Sequence, residues 1–234
     1  MKSDGYTVKE NTELFSEETL KGIDILVIAN ALNEKNVQDW DLPNYSAFTE
    51  EEVKAVAEWI SNGGSLLLIA DHMPFPKAAE SLGAAFGFEF KNGYASFTDN
   101  TESIFNLESE SLIDHPILRG MNDSESIKQI RTFTGQAFPC PQQAEKLLVF
   151  SESANILYPS KPGQIDNETP KENITGWCHG ATVEFNKGRV AVFGEAAMFT
   201  NQRSGGTSFG IGAVGAEQNE QFLLNVMHWL SRKI

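Results

Sequence analysis

At 234 residues with 41% hydrophobic content, the chain can bury one sizeable core, and a single domain over 1–234 is expected. A formal charge of −14 repels phosphate backbones and anionic lipid, which argues against nucleic acid and membrane partners and leaves a small-molecule substrate as the expected one. Two cysteines, Cys140 and Cys178, are too few for a disulfide framework; they read as free thiols, with one bridge as the alternative, and no apolar run reaches the roughly 18 residues of a membrane helix.

Met1-Lys2-Ser3-Asp4-Gly5 has none of the features of a signal peptide, so a cytoplasmic location is expected for the chain as encoded. Asp4-Gly5 reads as a turn entering a short strand at Tyr6–Val8, and Ser16 as the cap of a short helix over Phe15–Leu20. Ile23–Ala29 is the first buried strand and ends at Asn30. After a polar loop from Asn33 to Ala47, Thr49 caps a helix in which Val53, Val56, Ala57 and Ile60 recur at helical spacing, with Glu50, Glu51 and Glu52 at its positive end. Gly63-Gly64 closes that helix and opens Ser65–Ala70. This apolar run is too short for a helix and is bounded by Gly-Gly and Pro74, the pattern of a strand covered on both faces. Strand, helix, strand predicts a parallel pair joined by a right-handed crossover.

Downstream, Lys77–Phe86 reads as a helix stopped by Gly87, Phe88–Ser96 as extended chain, and Ile127–Thr134 and Lys146–Ser151 as strands. Pro159–Thr175 holds three prolines among polar residues and reads as a surface loop or flap. Ala181–Asn186 and Gly188–Phe193 form a hairpin-like pair about Asn186-Lys187-Gly188. Gln202–Gly215 is a glycine- and serine-rich loop, and Asn219–Leu230 a closing helix capped by Asn219, with Phe222, Leu223, Val226, Met227 and Leu230 on one stripe. The fold class is α/β.

Two apolar strands end in acids. Ile69-Ala70 gives way to Asp71 and His72, and Phe193-Gly194 to Glu195, at the carboxyl ends where open α/β sheets place ligands. Adjacent parallel strands would bring the two carboxylates to one edge beside an imidazole. Such a set serves as a general acid/base pair or as a hard-cation site, for calcium or magnesium before zinc. Asp71, His72 and Glu195 are therefore the candidate catalytic residues and the candidate metal ligands. The alternative is that Asp71 caps the following helix and Glu195 accepts backbone N–H groups in a turn.

Thr134 and Gln136, around Gly135 after a strand, are placed to orient a substrate, unless they only satisfy their own loop. Phe75, Met198 and Gln202 complete the candidate substrate contacts, and His179 joins them if a flap carries it to the site. His115, in a Pro-containing turn, is expected to face solvent, and His228 to pack on the last helix. Ser204-Gly205-Gly206-Thr207 lacks the Lys-Ser/Thr of a phosphate-binding loop and no strand leads into it, so no nucleotide is expected. A serine or cysteine nucleophile finds no Gly-x-Ser-x-Gly elbow.

Phe48-Thr49-Glu50-Glu51-Glu52-Val53, the run from Gly63 to His72, Asp114-His115-Pro116-Ile117 and the strand from Gly188 to Glu195 together resemble the class I glutamine-amidotransferase-like superfamily. Within it the likeness is to a bacterial branch related to DUF4350, ThuA-like and GldG/IFT52-type domains, and it covers nearly the whole chain. The resemblance implies a flavodoxin-like three-layer sandwich with a mostly parallel central sheet. It implies no glutaminase chemistry, because Asp71 stands about where that cysteine would be. It also implies a further strand and helix ahead of Asp4-Gly5-Tyr6, so that this domain is truncated relative to such proteins. The sheet edge left open would favour a homodimer formed by strand addition.

Two functions compete. One is a metal-assisted or acid/base hydrolase of a small ester, lactone or amide, worked by Asp71, His72 and Glu195. The other is a non-enzymatic carbohydrate- or protein-binding module using the same edge, with Trp40 and Trp177 in loops as a stacking face and Trp59 and Trp229 in the core.

Overall fold

The computed structural model describes residues 1–98 and 103–234. In chain order its elements are β1 (Ile25–Ala29), α1 (Glu50–Ser61), β2 (Ser65–Ile69), α2 (Phe75–Ala84), β3 (Tyr94–Phe97), β4 (Ser103–Asn106), the single turn α3 (Pro116–Arg119), β5 (Gln129–Thr132), β6 (Glu145–Val149), β7 (Ala154–Leu157), β8 (Lys171–Asn173), β9 (Cys178–Phe185), β10 (Gly188–Phe193), β11 (Asn201–Ser204), β12 (Thr207–Gly210) and α4 (Asn219–Leu230). No helix among the described residues is long and apolar enough to cross a membrane.

All five residues of β2 are buried, because β1 and β10 pair with it in parallel on either side and helices cover both faces. Successive strand side chains point to opposite faces. Leu66 and Leu68 accordingly enter one core with Val56 and Ile60 of α1 and Leu82 of α2, while Leu67 and Ile69 enter the other with Phe222, Val226 and Leu230 of α4. Each such side chain contributes about 1.5–3 kcal/mol by leaving water. The helix α1 starts at a complete capping box: Thr49 Oγ1 accepts the Glu52 N–H at 3.2 Å and Glu52 Oε2 accepts the Thr49 N–H at 3.0 Å. The other Glu52 oxygen accepts the Phe15 N–H at 3.2 Å, tying the N-terminal segment to the helix.

The flavodoxin-like sandwich with a mostly parallel sheet is not what forms. The five-stranded sheet runs β1-β2-β10-β9-β6, and beside it lie three small sheets, β3-β7-β8, β4-β5 and β11-β12. Of the eight strand pairings among the described residues, two are parallel and six antiparallel. The cause lies between β2 and β10. A parallel sheet needs a helical crossover before each new strand, and in that interval α2 is the only helix longer than one turn among the described residues. The chain instead pairs with itself in short ladders. It re-enters the main sheet at β6 and again at β9, which pairs with β6 and then turns back tightly at Asn186 (φ 54°) so that β10 must run antiparallel to it.

Several local expectations also change. Tyr6–Val8 forms no strand, and Phe15–Leu20 is a turn held by the hydroxyls of Ser16 and Thr19 rather than a helix. The glycine-rich stretch at 202–215 contains most of the β11–β12 hairpin. Asn219 does not cap α4: its side chain is buried, accepting from Arg131 N and donating to the carbonyls of Arg131 and Met198. His115 is buried rather than solvent-facing, its Nδ1 accepting the Ile117 N–H at 3.1 Å and its ring against Trp229. Cys140 and Cys178 are free thiols.

Gly188, which opens β10, sits under the end of α1. A Cβ there would lie 2.2 Å from the Ile60 carbonyl oxygen and 2.4 Å from that of Gly64, and backbone oxygens cannot swing aside as a flexible side chain can. Gly188→Ala is therefore expected to cost roughly 1–3 kcal/mol. The check is a lower urea midpoint with an unchanged slope; an unchanged midpoint would contradict this packing.

Candidate functional site

The parallel register sets Phe193 of β10 against Ile69 of β2, so the two chains leave the sheet at one height. Asp71 is the junction. Its Oδ2 accepts the Ala196 N–H at 3.0 Å, and its Oδ1 accepts the His72 N–H at 2.7 Å and the exposed Thr134 hydroxyl at 3.4 Å. Its own N–H donates to Asn30 Oδ1 at 3.0 Å, where Asn30, just past β1, adopts φ 51°. One aspartate thus joins the ends of three parallel strands.

Glu195 lies beside it with no exposed surface. Its Oε2 accepts the Met198 N–H at 2.9 Å, and its Oε1 has no well-formed hydrogen bond. Burial, and then the charge of Asp71, push the Glu195 carboxyl well above the usual carboxylate range, against the opposing backbone N–H groups of Met198, Ala197 and Phe133. His179 packs on the same spot. Its Nδ1 donates to the Gln136 carbonyl at 2.7 Å, its ring stacks on Phe105 at 5.3 Å, and its Nε2 has no partner. Burial pulls its pKa down to about 4, with the Gln136 carbonyl and Asp71 resisting. Backbone and rings meet here so closely that residue 135 must be glycine: at φ 129°, a Cβ would stand 2.3 Å from the Gly194 oxygen and 2.7 Å from His179 Cε1.

His72 turns away from this buried cluster. Its Nδ1 lies 2.8 Å from the Met73 carbonyl, and its ring stacks on Tyr94 with centroids 4.5 Å apart. Phe75 and Trp40 complete the aromatic group, at 5.9 and 6.3 Å from the imidazole. Among the described residues no three His, Cys, Asp or Glu side chains converge as a metal-holding group. The contacts explain it: both Asp71 oxygens are taken by N–H donors, and the near nitrogen of His72 faces a carbonyl.

The remaining candidates divide. Thr134 and Phe75 belong to the edge just described. Gln136 has both ends of its amide on main chain: its Nε2 donates to the Ala70 carbonyl at 3.0 Å and its Oε1 accepts the Lys91 N–H at 2.9 Å. Met198 is wholly buried and serves Glu195 through its N–H. Gln202 is exposed on β11 and bonds Thr200. His179 is a core imidazole on β9, not a flap residue.

Beside the aromatic group opens a cleft of about 460 Å³, lined by Met73, Asn92, Leu42, Tyr158 and the segment from Pro159 to Pro170. This is the proline-rich stretch read above as a flap. It is held at three places: Tyr158 N–H donates to the Pro170 carbonyl at 2.8 Å, Lys161 pairs with Asp41 at 3.3 Å, and Gly163 N–H donates to the Tyr94 hydroxyl at 3.1 Å. Asn92 Nδ2 donates to Asn44 at 2.9 Å, and its Oδ1 is buried without a partner. Tyr94 and Asn92 escape the sequence reading; the only signal is the turn dipeptide Asn92-Gly93 that delivers them.

No protein-family model and no curated protein matches the sequence. Solved structures do. The N-terminal domain of mmIFT52 superposes with a TM-score of 0.62 at 15% identity, covering 98% of this chain and 86% of that one. The cytoplasmic protein STM1381 from Salmonella typhimurium LT2 superposes at 0.50 and 14% identity, over 94% of this chain and 76% of the other. A ThuA-like protein from Bacteroides uniformis follows at 0.47 and 13%, over 97% and 78%. At these identities the likeness is one of fold alone, and the resemblance to IFT52-type domains goes that far.

The buried groups give stability a definite pH dependence. Burial lowers the pKa of both His179 and His115, each to about 4, so the stability owed to their neutral forms is complete above the ordinary value near 6.5 and is lost as pH falls through 4. Glu195 has the opposite sign. Its raised pKa contributes stability that is complete below the ordinary carboxylate value and is lost as pH rises through the folded one. Urea midpoints measured against pH should fall on the acid side between 6.5 and 4. The difference between Glu195→Gln and wild type should move in favour of the variant as pH rises; a pH-independent difference would show that Glu195 carries no such shift.

Proposed function

We propose that this chain is a non-enzymatic recognition domain whose ligand seat is the cleft between Met73, Asn92 and the 158–170 segment. The observation that carries this reading is how the acid pair is used. Asp71 accepts two backbone N–H groups and a hydroxyl, and Glu195 has no solvent-exposed surface, so neither carboxyl is free to meet a substrate. General acid/base work needs the catalytic group within hydrogen-bond reach of the proton it moves. The cleft next to it, by contrast, is open, of small-molecule size and mixed in its lining, as binding sites usually are. Tyr94 links the two, with its ring against His72 and its hydroxyl holding Gly163 of the flap.

The acid/base hydrolase has one observation in its favour. Burial and the adjoining Asp71 charge push the Glu195 carboxyl toward its protonated form, one of its oxygens has no well-formed hydrogen bond, and the Thr134 hydroxyl marks a route in from solvent. Both readings can be tested on the same protein. Small-molecule fragments followed by amide chemical shifts should perturb Asn92, Tyr94, Tyr158 and Gly163 and leave Ala196 and Met198 still. Hydrolysis of nitrophenyl esters and simple lactones should be no faster with wild type than with Asp71→Asn. Ester turnover that wild type has and the variant loses would favour the hydrolase, and fragments that never perturb the cleft would remove the seat.

A further inference from the structure

Resting on that recognition reading, we propose that the cleft takes an alkylammonium ligand, an amine on a methylene stem, with a free polyamine as the primary source. The walls are of two kinds. Leu42, Met73, Tyr158, Pro159 and Pro170 offer apolar and ring surface of the sort that methylene groups cover. Between them stand the acceptors, the carboxylates of Asp166 and Glu168.

Among the described residues no cationic side chain lines the cleft, and the flap's Lys161 is directed to Asp41 at 3.3 Å. An ammonium entering here therefore meets acceptors without a competing lysine. A carboxylate or phosphate would meet two like charges, and the net charge of −14 adds the same preference at longer range. A neutral sugar could hydrogen-bond the same oxygens but would leave both carboxylates uncompensated. Asp166 Oδ1 already accepts the Glu168 N–H and the Thr169 hydroxyl, each at 3.0 Å, so the flap presents its carboxylate in a fixed pose.

The test is titration of the intact chain with spermidine at ~0.15 M salt, where diffuse counter-ion binding is screened, followed by amide shifts and calorimetry. The expected result is saturable binding at one site, with shifts at Asn92, Tyr158, Gly163 and Thr169. Asp166→Asn combined with Glu168→Gln keeps the local hydrogen bonds and should weaken that binding about tenfold, the size expected for removing two partly exposed charges. Glu168→Gln alone serves if the double variant disturbs the flap, and Asp123→Asn on the exposed turn before β5 should change nothing. Binding of a hexalysine peptide more tightly than spermidine would support the same chemistry and assign its source to protein side chains. Affinity unchanged in the charge variants, or shifts scattered without saturation, would overturn the proposal. Maltotriose entering the cleft where spermidine does not would overturn the ligand class and leave the seat standing, while no shift in the cleft with any probe would overturn both.

Discussion

A charge taken out of water must be given donors, and the edge of this sheet is organised around how Asp71 receives them. The side chain is 5% exposed, and each of its oxygens accepts a backbone N–H, one from its own strand end and one from the neighbouring strand end at Ala196. Its own N–H is held by Asn30 beyond the third strand. Removing the carboxylate would leave those donors unpaired as well as the strand ends untied, which is why a buried charge of this kind fixes geometry more than it adds net stability. Its neighbour must adapt. Two carboxyls cannot both ionise in a dry site, and the one with fewer donors, Glu195, is the one pushed to hold its proton.

That division of labour explains the surroundings. Gly135 and Gly194 bring backbone into contact with His179 and Glu195 where any side chain would collide. Gln136 spends both ends of its amide on main chain from two other segments, at Ala70 and Lys91. The aromatic rings of Phe105 and Phe150 enclose His179 and keep it neutral. The groups that the sequence gathers as candidate catalytic residues are also the wiring that lets three strands end together.

The parts legible in sequence are those set by neighbours along the chain. The apolar run at β2, the cap at Thr49, the turn at Asn186 and the stripe of α4 are local patterns, and each forms. Two strands ending in acids at matched height were also readable, because a parallel register carries the ends of neighbouring strands to the same edge. The mixed sheet was not. Whether β9 and β6 pair antiparallel beside β10 depends on contacts between residues far apart, such as Leu148 against Gly180, and no window of sequence contains both. Burial of His115 was hidden for a similar reason: its turn looks exposed until Trp229 from α4 packs on it. Side-chain roles failed the same way, since a polar residue in sequence does not say whether it will face a ligand or, like Gln136, a stray carbonyl.

The aromatic group joins the strand ends to the flap. Tyr94 is pressed against His72 on one side and bonds the flap at Gly163 on the other, while its hydroxyl also donates to the Met73 carbonyl at 3.3 Å. Burial, with the Asp71 charge behind it, raises the Tyr94 pKa above its ordinary value, so the phenol stays protonated and keeps donating at neutral pH. Met73 lines the cleft and its carbonyl is the shared acceptor for Tyr94 and His72. A ligand that displaced the flap would therefore have to break a bond to Tyr94. One that settled beneath it would leave the Asp71 junction undisturbed, because the tethers of the segment from Pro159 to Pro170 are separate from the bonds that join the strand ends. A fixed floor with a separately tethered roof suits retention of a small ligand, and it requires no movement of the buried acids.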